Sequence, residues 1–92
     1  MAYEWDDEKA AANLRKHSVS FNAVLDFDWS TTLIVADQRT DYGEQRWVAI
    51  GKIGERLYSL AYTFRGENIR VISLRTASRK ERTLYEQTKR SR

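Results

Sequence analysis

The sequence predicts an α+β domain: a four-stranded antiparallel sheet packed by helices, in the order α-α-β-β-β-β-α. Three observations predict it. Helix-start signals stand near the two ends of the chain, short β-branched and aromatic runs fill the middle, and the links between those runs are only a few residues long. Links that short allow antiparallel pairing only. With 92 residues, no Pro and four Gly, the chain is expected to form one domain over residues 1–92.

Residues 6–16 read as the first helix. Asp6 can cap it, Asp7 and Glu8 stand in the first turn, and Arg15 and Lys16 in the last, as the helix dipole favours. A second short helix is expected over roughly 20–28, with Ser20 as N-cap and Val19 stapled onto Val24. His17 and Ser18 fall in the joint between the two. The period then changes. Thr31 to Ala36 is a β-branched strand, Asp41-Tyr42-Gly43 a turn, and Arg46 to Ile53 a second strand. Gly54 and Gly66 mark two hairpin turns, around a third strand from Arg56 to Phe64 and before a fourth from Ile69 to Thr76. Ser78-Arg79-Lys80-Glu81 matches a capping box and opens a helix over roughly 79–89, with Arg82–Glu86 and Glu86–Arg90 as i,i+4 pairs.

Composition narrows the function. There is no Cys, which excludes disulfides, thiolate metal sites and Cys nucleophiles, and the single His excludes a multi-histidine metal centre. No metal and no cofactor is expected. No apolar run approaches a membrane span, and the acidic start, Glu4-Trp5-Asp6-Asp7, lacks the chemistry of a signal peptide. A cytoplasmic protein is expected.

The net charge of +3 hides an asymmetry: residues 1–64 carry 7 basic and 10 acidic side chains, and residues 65–92 carry 9 basic and 3 acidic. Seven of those nine are Arg, whose planar fork pairs bidentately with phosphate. An Arg-weighted third of a chain points to a polyanion. Lys89 to Arg92 read as a solvated basic tail.

Strand alternation sorts the candidates. Tyr58, Leu60, Tyr62, Ile72 and Leu74 are expected to face the helices, with Arg70 on their side of the fourth strand. Ser59, Thr63, Ser73 and Arg75 take the open face, with Arg65 at the hairpin end. Arg75 and Arg79 converging at the start of the last helix, beside Ser78, would grip a phosphate. The structural alternative pairs Arg75 with a carboxylate such as Asp37 or Glu44, and pattern alone leaves both open. His17 is the one side chain whose ordinary pKa suits proton transfer near neutrality; its alternative role is a helix C-terminal cap. Trp5, Trp29, Trp47, Tyr58, Tyr62 and Phe64 fit a core, and any of them exposed beside the Arg cluster would fit a stacked base.

The order of residues also resembles a known family. Tyr3-Glu4-Trp5-Asp6, Lys9, Asn13 and Lys16-His17-Ser18-Val19-Ser20-Phe21 resemble the opening of BrnT proteins, F-x-W-D…K…N…K-H-G-V-S-F. Arg46, Gly51, Tyr62-Thr63-Phe64-Arg65, Ile69 to Ser78, Glu81-Arg82 and Tyr85 resemble their second half. Ser18 replaces the usual Gly, Gln45 a usual Glu and Leu74 a usual Ala. The resemblance implies a fold similar to RelE-type ribonuclease toxins and a toxin of a type II toxin–antitoxin module. It implies RNA as substrate and a BrnA-type ribbon-helix-helix antitoxin as partner, with operator DNA bound only through the complex.

RNA cleavage without metal uses the substrate's 2′-OH. Arg65 and Arg75 are then expected to stabilise the phosphorane, with His17 as acid or base. Arg79, Arg70, Lys16, Tyr62 and Ser78 are expected to bind RNA, Lys16 and Tyr62 also standing in as acid–base groups. A non-catalytic nucleic-acid-binding domain and a protein-interaction module with ion-paired arginines are the rival classes.

Overall fold

The computed structural model describes residues 2–39 and 41–90. Chain order runs β1 (Tyr3–Glu4), α1 (Asp7–His17), a 3₁₀ helix (Phe21–Asp26), β2 (Phe27–Asp37), β3 (Arg46–Ile53), β4 (Arg56–Arg65), β5 (Asn68–Thr76) and α2 (Arg79–Arg90). The α+β class holds. The expected four-stranded antiparallel sheet is corrected to a five-stranded mixed one, ordered β1-β5-β4-β3-β2. The added strand is β1, which pairs parallel to β5 through Tyr3–Ile69 and Glu4–Arg70. Two residues are too few to show a period, so alternation could not reveal it.

The helix signals act as read. The Asp6 side chain accepts from Glu8 N (2.8 Å) and Lys9 N (3.1 Å), and Ser20 Oγ accepts from Asn22 N (3.2 Å). The second helix is 3₁₀ and shorter than expected, because Phe27 turns out of it into β2. That strand is longer than read, with an irregularity between Asp28 and Leu33 that interrupts its period. Gly54 closes the β3–β4 hairpin at φ 62°, a conformation that costs a side-chain-bearing residue energy.

The sheet has helices on both faces. Phe21, Val24, Leu60, Tyr62, Val71 and Leu74 form the main core, under α1 and the 3₁₀ helix. On the opposite face Ile50, Ala77 and Tyr85 form a smaller cluster with Leu33, Val48 and Leu57, seating α2. Gly51 allows close approach inside β3: a Cβ there would collide with Thr32 Oγ1 and lie 2.6 Å from Phe27 Cζ.

One irregularity rearranges the faces of β5. Ala61 pairs Ser73 and Tyr62 pairs Val71, so Ile72 is left unpaired as a bulge. The period inverts there. Val71 and Ile69 join Leu74 in the core, at 1% and 5% exposure. Arg70, opposite Thr63, moves to the face of Arg75, which corrects its expected place beside Ile72 and Leu74. No helix among the described residues is long and apolar enough to cross a membrane.

Candidate nucleic-acid site

The site grows from the end of α1. Asn13, 6% exposed, donates to Leu74 O (2.7 Å) and Val19 O (3.0 Å) and accepts from Leu74 N (3.1 Å). The two bonds to Leu74 clamp α1 to the edge of β5 that the short β1 leaves uncovered, and the bond to Val19 ties down the joint that follows the helix. One turn later Lys16 and His17 therefore stand beside Ser73. Ser18 ends the helix in the left-handed region, at φ 59° and ψ 28°. A residue with a side chain is strained in that conformation, so replacing the usual Gly has a backbone cost.

Lys16 and His17 open onto a cleft of about 500 Å³ on the α2 face of the sheet. Ser59, Ser73 and Arg75 form its floor, Glu81 and Leu84 its α2 wall, and Val35, Asp37 and Arg39 its far wall. His17 is held below its ordinary pKa, first by burial and then by the charges of Lys16 and Arg75. That shift favours the uncharged imidazole at neutral pH, the form able to accept a proton.

Arg75 is a clasped cation. Its Nη1 and Nη2 donate to the two oxygens of Glu81 at 2.7 and 3.0 Å. Glu81 also accepts from Ser59 Oγ (3.1 Å) and Ser78 N (2.8 Å). Burial works to raise the Glu81 carboxyl, yet the Arg75 fork and the Ser78 N–H prevail and hold it at about 2. Ser78 Oγ accepts from Glu81 N (3.2 Å), completing the capping box. So Arg75 does pair with a carboxylate, but with Glu81 rather than Asp37 or Glu44. Asp37 belongs to Arg39, which holds it at about 2 through bonds of 2.9 Å to each oxygen.

The remaining candidates do not meet there. Arg75 is opposite Ser59 and Arg65 opposite Asn68, six positions apart along β4, about 20 Å at the rise of a strand. Arg65 pairs with Glu44 at 3.1 Å and Arg70 with Glu4 at 2.7 Å. The expected convergence of Arg65 with Arg75 is therefore corrected: antiparallel register sends the two to opposite ends of the hairpin. Arg79 is exposed on the outer flank of α2, beside Lys80 and Leu84, not beside Arg75. Tyr62 is 3% exposed in the core, edge-on to Trp29 and Phe64, on the face away from the cleft. Ser78 is occupied as a cap.

Arg39 and Glu81 were missed as cleft residues, while Asp37, expected as a partner for Arg75, lines the cleft but pairs with Arg39. For Glu81 the capping-box signal masked a second role; for Arg39 nothing in the local pattern marks it. Among the described residues no group of three or more His, Asp or Glu is placed to hold a metal ion.

Comparison with known proteins agrees with the sequence resemblance. The model of the family described as "Ribonuclease toxin, BrnT, of type II toxin-antitoxin system" matches residues 5–81. No curated protein matches. Among solved structures, the 1.1 Å crystal structure of the Brucella abortus ribonuclease toxin, BrnT, is similar. Its TM-score is 0.67 at 25% identity, over 86% of this chain and 100% of that one. A family match that runs from Trp5 through the clasping Glu81, joined to that likeness of fold, places this chain in the BrnT family of type II toxin–antitoxin ribonuclease toxins.

Proposed function

We propose that this chain cleaves RNA in the cleft between the end of α1, β5 and α2, by attack of the substrate's own 2′-OH on the adjacent phosphorus. The observation that carries the reading is that an uncharged imidazole, an ammonium and a guanidinium share one concavity: His17, Lys16 and Arg75. In this reading His17 accepts the 2′-OH proton. Arg75, aimed by Glu81, stabilises the charge that builds on the phosphorane oxygens. The bond from phosphorus to the 5′-oxygen breaks, and Lys16 donates the proton that the departing oxygen takes up. The products are a 2′,3′-cyclic phosphate and a 5′-hydroxyl. No metal is required, since nucleophile, base and charge are all supplied. Arg65, Arg70 and Arg79 lie away from the reacting phosphate and would meet flanking nucleotides; Tyr62 and Ser78 keep structural roles.

The partner in this reading is a BrnA-type ribbon-helix-helix antitoxin, and operator DNA is met only through the complex. Val35 and Leu84, 39% and 43% exposed, flank the cleft and supply apolar anchors for an acidic segment lying across it. The kinship with RelE-type toxins and the cytoplasmic location belong to the same reading.

Purified protein incubated with single-stranded RNA in excess EDTA is the test. Cyclic-phosphate ends are expected, and a 2′-deoxy substitution at the scissile nucleotide should abolish scission. RNA that is bound but left intact would favour the non-catalytic alternative, which the clasped state of Arg75 suits.

A further inference from the structure

Five arginines, Arg39, Arg46, Arg65, Arg70 and Arg75, stand within salt-bridge distance of a carboxylate. A second set of cations does not. On the other flank of α2, between its C-terminal half and the β3–β4 hairpin, a groove of about 720 Å³ is lined by Lys52, Arg56, Arg82, Lys89 and Arg90. Two carboxylates, Glu55 and Glu86, share its walls, yet no salt bridge joins them to these cations among the described residues. The expected Arg82–Glu86 and Glu86–Arg90 pairs do not close. Arg82 is engaged only with Ala77 O (3.0 Å), and Lys89 stands 5.2 Å from the centre of the Tyr85 ring. Asp28, opposite Lys52 in the β2–β3 register, accepts from Ser30 N and Oγ at 2.9 and 2.6 Å through Oδ1; the charges of Lys52 and Lys89 act on it, but no salt bridge joins it to either.

We infer that this groove is a second RNA-binding site, which holds the sugar–phosphate backbone of the strand whose scissile phosphate lies in the cleft. The inference rests on the proposed ribonuclease reading for the identity of its ligand. Unpaired cations lining a concave surface concentrate a polyanion, and the free forks of Arg56 and Arg90 suit phosphate oxygens. The groove and the cleft lie on the same face of the sheet with α2 between them: Glu81 and Leu84 wall one, Arg82, Tyr85 and Lys89 the other. A strand crossing α2 reaches both. An acidic protein segment fits the groove less well. It would need a buried apolar anchor, but Tyr85 is 6% exposed, Leu57 is half-buried against the α2 cluster, and the exposed large apolar side chains, Leu14, Leu25, Ile34, Val35, Phe64 and Leu84, all lie outside the groove. The groove reads sequence-independent backbone charge, since its one aromatic ring is buried and unable to stack on a base.

The test uses the full chain and a quadruple variant, Lys52→Gln, Arg56→Gln, Lys89→Gln and Arg90→Gln, none of which removes a salt bridge. Binding of an uncleavable 2′-O-methyl oligonucleotide long enough to span both sites is followed by fluorescence anisotropy against salt concentration. On single strands each neutralised phosphate contributes about 0.7 to the log–log salt slope. The variant is expected to lower that slope by about two to three and to weaken binding at least tenfold near 0.1 M salt. A trinucleotide confined to the cleft should bind both proteins alike. An unchanged slope and affinity on the long oligonucleotide, in a variant with unchanged circular dichroism, overturns the inference. Because the oligonucleotide cannot be cut, this outcome stands apart from any failure of the cleavage assay.

Discussion

Ser18 carries the backbone cost of the joint that presents His17. A non-glycine residue in the left-handed region is strained by about 1 kcal/mol, and its φ of 59° places it there. Ser18→Gly is therefore expected to raise stability by about 1 kcal/mol, read as a higher urea midpoint at unchanged slope; a lower midpoint would show that the Ser side chain outweighs the strain. His17 makes the second prediction at this scale. Burial, Lys16 and Arg75 depress its pKa below 6.5, so the uncharged imidazole is favoured through neutrality. The cleavage rate should be flat above neutral pH and fall as acid protonates the base. His17→Gln should remove that acid limb along with most of the rate; a variant that keeps the wild-type limb would assign the titration to another group. The sequence marked His17 as a candidate because it is alone of its kind. It did not show that Asn13, read only as part of a family resemblance, is the clamp that puts His17 in place, because that bond spans 61 positions.

At the scale of elements, signals contained within a few residues were legible and those between strands were not. Asp6, Ser20 and the Ser78–Glu81 box all cap as read, because capping is a contact between near neighbours. The bulge at Ile72 is different. It depends on how β5 pairs with β4, and it moves Arg70 to the opposite face without any local mark. Likewise β1 exists only because β5 offers it an edge. Gly51 shows the same limit, since it is required by Phe27 and Thr32 of the neighbouring strand. Gly51→Ala is expected to cost about 1–3 kcal/mol by overpacking β2 against β3. Thermal unfolding measures it; an unchanged Tm would mean that Phe27 can move aside freely.

For the whole molecule, the charge asymmetry of the sequence resolves into two populations. Arg39, Arg46, Arg65, Arg70 and Arg75 are paired with carboxylates from every part of the chain, whereas Arg56 and the cations around the end of α2 are left open. Counting charges located the basic third correctly but could not separate these populations, because pairing depends on register and on which face each strand presents. The paired carboxylates also set the response to acid. Glu81 and Asp37 are each held at about 2, against ordinary values of 4.5 and 3.8. Their folded pKa values are depressed, so the stability they supply is complete above about pH 4.5 and drains away as pH falls through 2. Acid unfolding should therefore steepen over that window, and Glu81→Gln should flatten part of it. An identical acid limb in the variant would show that the Arg75 clasp contributes no pH-dependent stability.

In the proposed reaction Arg75, held by Glu81 beside His17, stabilises the transition state of RNA cleavage. Single-turnover cleavage in EDTA by Arg75→Ala, checked for an unchanged circular dichroism spectrum, tests it most directly. A loss of about a hundredfold or more in rate is expected, the size seen on removing one preorganised donor from a charge-stabilising site, with a much smaller change in RNA affinity. A folded Arg75→Ala protein that cuts at the wild-type rate would contradict it.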